Sequence, residues 1–315
     1  MRSIGGYISP GLHREPSEEP GVVALNTGRN ALECLLRLRS YRVLHVPRYT
    51  CGVLRQPLER GGVELRYYNI DSAFEPLLDA DTIAGEEALL YTNYFGLKDG
   101  TIQKLAEKCP TLIVDQAQAY YATTPPGVDA FDSARKFLGV SDGARLRLRG
   151  PFTLDLEQDA SHDRCQHLLL GSDQGVESGY AAFQHNEALL SQVPARLMSN
   201  LTKAILAGTD HAALIARRQE NHSILHHALG VHNGLGAMPT LSKVPLVYPF
   251  LTSDPEIRDR LITEKIFVAT FWTDLLGNVE PGTPESMFRD QLICLPVDQR
   301  QGTGEMERII QLLLP

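Results

Sequence analysis

The chain has 315 residues, 43% of them hydrophobic, which suits a globular protein with one large core and a smaller appended unit. Its formal net charge of −8 argues against nucleic acid as a partner, because no broad basic surface is available for a phosphate backbone. The longest apolar runs, such as IIQLLL near the C-terminus, fall far short of the ~20 residues of a membrane span. MRSIGGYISP lacks the apolar core of a secretory leader, so the sequence points to a cytoplasmic protein with no membrane partner. Cys34, Cys51, Cys109, Cys165 and Cys294 are scattered and odd in number, with no CxxC pair, which favours reduced thiols over a disulfide framework or a structural zinc.

In chain order, the first informative segment is LNTGRNALECLL, where Thr27-Gly28-Arg29-Asn30 leads into a helical pattern over Ala31–Arg39. Free N–H groups and the helix dipole at such an N-terminus attract phosphate, and Gly28 permits close backbone approach. An ordinary Asn or Thr cap explains the same residues equally well. From Val43 to Leu148, short β-like runs alternate with helical or turn-rich stretches: VLHV (43–46), VELRYY (63–68), ALLYT (88–92), TLIVD (111–115) and RLRL (145–148). That spacing predicts a βαβ sheet, mostly parallel, with a helix at Thr101–Lys108 after the turn Lys98-Asp99-Gly100.

TLIVDQAQA closes an apolar run with Asp115, and Lys136 follows in FDSARKFLGVSDGA. Ligands of open α/β sheets sit at the carboxyl ends of strands, where Asp115 is expected. A carboxylate there can keep a pyridine nitrogen protonated, and a lysine can form an imine and shuttle its proton. A strand-end cap for Asp115 and a solvated loop for Lys136 are the plain alternatives.

After Gly150 a polar stretch, LEQDASHDRCQH, precedes helical segments at Asn186–Ser191 and Asp210–Leu229. From Val244 a second α/β pattern begins, with a strand VPLVYPF, a helix Asp254–Lys265, a strand IFVATF and a final helix Gly304–Leu314. These place a boundary near residue 240, giving a large domain with a helical arm over 1–240 and a small α/β domain over 241–315. His162, Asp163, Cys165 and His167 do not have zinc-ligand spacing, and no metal is expected. His226, His227 and His232 suit the C-terminal end of a helix, and Phe271-Trp272 serves either core or cleft.

The ordered series NTGRNAL, VPRYTCGVL, TNYFG, VDQAQAYYA, SARKFLGVSDGA, ARRQENHSIL and LPVDQR resembles the DegT/DnrJ/EryC1/StrS family of pyridoxal 5'-phosphate (PLP) dependent aminotransferases, which act mainly on nucleotide-linked keto sugars. The resemblance runs along most of the chain. It implies an α/β protein of PLP-dependent transferase fold type I, with a large mostly parallel sheet domain and a smaller C-terminal α/β domain. It implies that Lys136 holds the cofactor as a Schiff base, that Asp115 pairs with the pyridine nitrogen, and that Gln118 contacts the ring hydroxyl. Gly28, Arg29 and Asn30 would hold the phosphate, with a further hydroxyl from Ser133. Asn200, in LMSNLTKA, stands roughly where the family has an asparagine contributed across a dimer interface. Many members carry an aromatic over the ring after the threonine of this segment; here Cys51 follows Thr50, so Cys51, Tyr49 or a side chain from elsewhere covers that face.

The implied partners are small molecules, an amino donor such as glutamate and a nucleotide-linked keto sugar, and the implied assembly is a homodimer. Two other readings are sugar dehydration, in which a histidine replaces the lysine, and a non-catalytic regulatory or scaffold relative. Arg135, next to Lys136, is expected to depress the amine's pKa if the two charges lie close.

Overall fold

The computed structural model describes residue 12 and residues 19–236, 243–273 and 279–314. The expected boundary near residue 240 and the segment MRSIGGYISP lie outside the described residues. A seven-stranded sheet contains β1 (Val22–Leu25), β2 (Val43–Pro47), β3 (Glu64–Tyr68), β4 (Glu87–Thr92), β5 (Leu112–Gln116), β6 (Asp129–Asp132) and β7 (Ala144–Arg147). Their spatial order is β1-β7-β6-β5-β4-β2-β3. Strands β2 to β6 run parallel, and β7 is antiparallel to both β6 and β1. The near-continuous apolar sequences of β4 and β5 follow from burial on both faces.

Helix α1 (Gly28–Arg39) covers one face, where Leu32, Leu35 and Leu36 pack with Leu25, Ile113, Phe131, Ala144 and Leu146. Thr27 caps it by accepting from the Asn30 N–H at 3.1 Å, and Arg37 and Arg39 suit the negative end of its dipole. Helix α2 (Arg55–Gly61) leads into β3, and α3 (Asp99–Lys108) packs Ile102 and Leu105 on the other face against Tyr91, Val114 and Ala130.

Two strands, β1 and β6, escape the sequence pattern. β6 reads DAFD, and aspartate is unfavourable in strands. Both carboxylates are nevertheless fully buried, because arginines neutralise them. Asp129 accepts from Arg39 Nε and Nη2, each at 2.7 Å, and Asp132 accepts from Arg145 Nε at 2.7 Å and Arg147 Nη1 at 3.0 Å.

Beyond β7, α4 (Gln166–Gln174) and α5 (Val176–Leu190) form a helical hairpin, and the helical segment expected at Asn186–Ser191 is the last turn of α5. Gly179 permits their close crossing, since a Cβ there would lie 2.6 Å from the His167 carbonyl. Then come α6 (Asn200–Gly208) and α7 (His211–Leu229). A two-stranded antiparallel sheet pairs β8 (Val247–Leu251) with β9 (Leu292–Pro296), flanked by α8 (Ile257–Thr263), α9 (Pro284–Gln291) and α10 (Thr303–Leu313). IFVATF is not the partner strand. It makes one bridge, Ala269 to Cys294, and the more deeply buried LICLP takes the place beside β8. Leu225 and Leu229 of α7 enter the core formed by Tyr248, Phe250, Ile293, Leu295, Met306 and Ile309, so this helix shares in the packing of the second unit. Among the described residues, no helix is long and apolar enough to cross a membrane.

His222 on α7 is 3% exposed, lies edge-on to Tyr248 at 5.1 Å, and has no partner for its Nε2. Burial first, and then the nearby His226, push it down to about 4 from its ordinary 6.5. The unfolded chain therefore takes this proton first. Stability is fully present above pH 6.5 and is lost as pH falls toward 4, at about 1.4 kcal/mol per unit of pKa difference. Urea unfolding at pH 7.5 and pH 5 should show this loss in the native protein and a smaller loss in His222→Leu; an equal loss in both would refute the assignment.

Candidate active site

The site grows from the carboxyl ends of the parallel strands. Asp115, the penultimate residue of β5, is 5% exposed and pairs in register with Thr92 of β4 and Phe131 of β6. One Asp115 oxygen accepts from the Ala117 N–H at 2.8 Å, and the other accepts from no described residue. Burial pushes this carboxyl up, while the Lys136 ammonium pulls it down and so lies within electrostatic reach. Lys136 ends a 3-10 turn (Ala134–Lys136) directly after β6 and is itself exposed, with no ion pair to a described residue.

Gln118 follows Asp115 on the same loop and is 1% exposed. Its Oε1 accepts from the Phe95 N–H at 2.9 Å, which fixes Phe95 at a left-handed φ of 58°. Its Nε2 is buried without a partner, an unmet donor beside the aspartate's loop.

The N-terminus of α1 meets the end of β6 at Gly28, where a Cβ would stand 3.1 Å from the Asp132 carbonyl. The next residue of β6's chain, Ser133, has a hydroxyl that bonds no described group. Arg29 makes no ion pair with a described residue, and its buried Nε has no partner. Burial lowers its guanidinium's pKa, the Cys51 thiol opposes that shift, and the nearby Arg60 adds to it. Cys51 is thus close to Arg29 and half-buried.

Other expected residues are committed elsewhere. The Asn30 amide donates to Asn26 Oδ1 at 2.9 Å and to the Val193 and Pro194 carbonyls, so its side chain serves the fold. Tyr49 is 1% exposed and lies edge-on to Trp272 at 4.7 Å, in a cluster with Phe74, Tyr94 and Phe288. Neither Tyr49 nor Trp272 is therefore available to cover a ligand ring, which leaves Cys51 from that segment. Asn200 opens α6 as an exposed residue. Arg135 turns toward Glu187 of α5 and also lies within reach of Asp142, Arg29 and Arg164. His162 and Asp163 are exposed and Cys165 bonds the Ser161 carbonyl at 3.2 Å; among the described residues no group of His, Cys, Asp and Glu could hold a metal ion.

Sequence reasoning gave no role to Asp142 and Gly143, which hold the lysine turn in place. The Gly143 N–H donates to the Asn26 carbonyl at 2.6 Å, and the Gly143 carbonyl accepts from the Ala134 N–H at 3.0 Å. Fully buried Asp142 accepts from the Ser199 N–H at 2.9 Å and hydroxyl at 2.8 Å, and from the Thr202 hydroxyl. The clue in SDGA is an acidic residue before glycine, which reads as an ordinary turn.

The sequence matches no protein-family model and no curated protein. Solved structures do match. DesV from S. venezuelae has a TM-score of 0.66 at 18% identity, covering 93% of this chain and 83% of that one. A DegT DnrJ EryC1 StrS aminotransferase from Brucella abortus gives 0.63 at 15%, covering 93% and 84%. The PLP-form of Spr1654 from Streptococcus pneumoniae, a putative sugar aminotransferase, gives 0.63 at 16%, covering 93% and 86%. The chain has the fold of these aminotransferases, a large mostly parallel sheet with a smaller C-terminal unit.

Gly143 has φ of +120°, and a Cβ there would stand 3.0 Å from Thr202 Cγ2. Gly143→Ala should therefore lose roughly 1–3 kcal/mol of unfolding free energy by denaturant titration. An unchanged midpoint would show that the joint tolerates a side chain.

Proposed function

We propose that the chain is a PLP-dependent aminotransferase that moves an amino group from an amino acid, glutamate in the first instance, to a nucleotide-linked keto sugar. The observation that carries this reading is the pairing of complementary needs at one sheet edge. Asp115 is a buried carboxylate that calls for a cation, and a short way off Arg29, Ser133 and the α1 N-terminus call for an anion. A protonated pyridine ring carrying a phosphate answers both. Sugar aminotransferases among the matching structures support a sugar as the acceptor.

In this reading Asp115 accepts from the ring nitrogen with its free oxygen, and the unpartnered Gln118 Nε2 donates to the ring oxygen. Gly28, Arg29 and Ser133 would hold the phosphate, and Cys51 would stand against the ring. Bound there, PLP supplies an electron sink for the carbanion formed next to the substrate amine. Asp115 keeps the ring nitrogen protonated, which sustains that sink. Lys136 would anchor the cofactor through Nζ, and the same amine would serve as the base and acid that moves the proton at the substrate carbon. The same residue works in reverse on the keto sugar. The proposed assembly is a homodimer with two such sites, and a lysine at position 136 favours amino transfer over dehydration.

The purified protein should turn yellow with PLP and lose that colour in Lys136→Ala, while Asp115→Asn should keep the cofactor and lose at least about 100-fold in amino transfer. A protein that stays colourless at millimolar PLP would overturn the reading. Screening nucleotide-linked keto sugars against the aminated cofactor form then identifies the acceptor.

A further inference from the structure

We infer that Arg135 and Glu187 form an anion-operated latch: Glu187 of α5 holds the Arg135 guanidinium until a phosphate group at the α1 N-terminus takes it over. The inference rests on the phosphate position proposed above and adds two residues to it.

The argument starts from an imbalance of charge. Arg29 stands in the first turn of α1, which contains no acidic residue, with Arg60 and Arg135 within electrostatic reach of it. Arg60 is matched by Glu33 at 3.1 Å, and Arg164, the next cation along, is matched by Asp159 at 2.9 Å. Asp142, the other carboxylate facing Arg135, is already engaged by Ser199 and Thr202. Arg29 is left without an ion pair among the described residues, and Arg135 has one such pair there, to Glu187, besides the charge of Asp142.

Glu187 suits a temporary partner. Its side chain is 45% exposed, so water solvates it readily once it is released, whereas that of Arg135 is 18% exposed and needs a counter-charge. Releasing Glu187 does not free α5. The Asn186 amide still donates to the Ser141 carbonyl at 3.0 Å, and the Gln56 amide to the Ser191 carbonyl at 3.0 Å. A phosphate monoester carries nearly two charges, so it can match Arg29 and displace the single charge of Glu187 from Arg135. Arg135 also belongs to the lysine turn, one residue from Lys136, so filling the phosphate position fixes that turn at the same moment.

The test measures binding by calorimetry for three probes, PLP, pyridoxal without phosphate, and inorganic phosphate. Glu187→Gln removes the competitor and should tighten PLP and phosphate by about tenfold, leaving pyridoxal unchanged. Arg135→Gln should weaken the two phosphate-bearing probes, Arg135→Lys should restore part of the loss, and Glu187→Gln should have no effect in the Arg135→Gln background. Weaker or unchanged phosphate binding in Glu187→Gln, or equal tightening of pyridoxal, overturns the latch. If Arg135→Gln does not fold, Glu187→Gln decides, because it alters only an exposed carboxylate. PLP uptake indifferent to both variants leaves the proposed function standing and removes the latch. Inorganic phosphate that responds to Glu187→Gln in a protein that never takes up PLP does the reverse.

Discussion

The hydrogen bond from the Gly143 N–H to the Asn26 carbonyl, 2.6 Å long, joins three parts that are far apart in sequence. Asn26 begins the approach to α1, Gly143 immediately precedes β7, and the Gly143 carbonyl in turn holds the first residue of the turn that ends in Lys136. Because β7 is antiparallel to β6, its first residues return to the same edge at which Asp115 and Ser133 emerge. The lysine, the helix N-terminus and the aspartate therefore share one rigid frame. Two further grips act on it. Asp142 binds the start of α6, and Gln299 donates to the Phe137 carbonyl at 2.8 Å while accepting from Arg218, whose guanidinium lies 4.6 Å above the Phe137 ring.

Electrostatics within that frame are arranged in opposition. Burial raises the Asp115 carboxyl and lowers the Arg29 and Arg135 guanidiniums, the latter to about 10. Each group is thus held in a place that disfavours its own charge, and a ligand of the opposite sign relieves each. A neutral ligand would relieve neither, and a simple anion only one.

Much of this frame was legible in the sequence, and the losses have physical causes. The apolar runs of β2, β4 and β5 announce themselves because central parallel strands are buried on both faces. Asp115 was legible as the charged end of such a run. β6 was not, because DAFD becomes a strand only once Arg39, Arg145 and Arg147 arrive from elsewhere in the chain. Asn30 illustrates the opposite loss. Its position before a helix suggests a ligand contact, but the amide is drawn to the Val193 and Pro194 carbonyls, 163 and 164 residues away. The α4–α5 hairpin was legible only at its end, Asn186–Ser191, because its helices are held by the close approach at Gly179 and not by an apolar stripe facing a core.

Tyr49 and Cys51 show how one buried threonine sends its two neighbours to different places. Tyr49 and Cys51 flank Thr50, which is fully buried and 3.4 Å from Thr92, the residue in register with Asp115. Thr50 thus fixes the segment against the strand ends, and the two neighbours are directed to different places. Tyr49 enters the aromatic cluster with Trp272 and Phe288, which joins the sheet to the C-terminal unit, and its own carbonyl accepts from the Tyr94 hydroxyl at 2.9 Å. Its ring cannot turn toward Arg29 without opening that cluster. The smaller Cys51 stays half-buried, within electrostatic reach of Arg29.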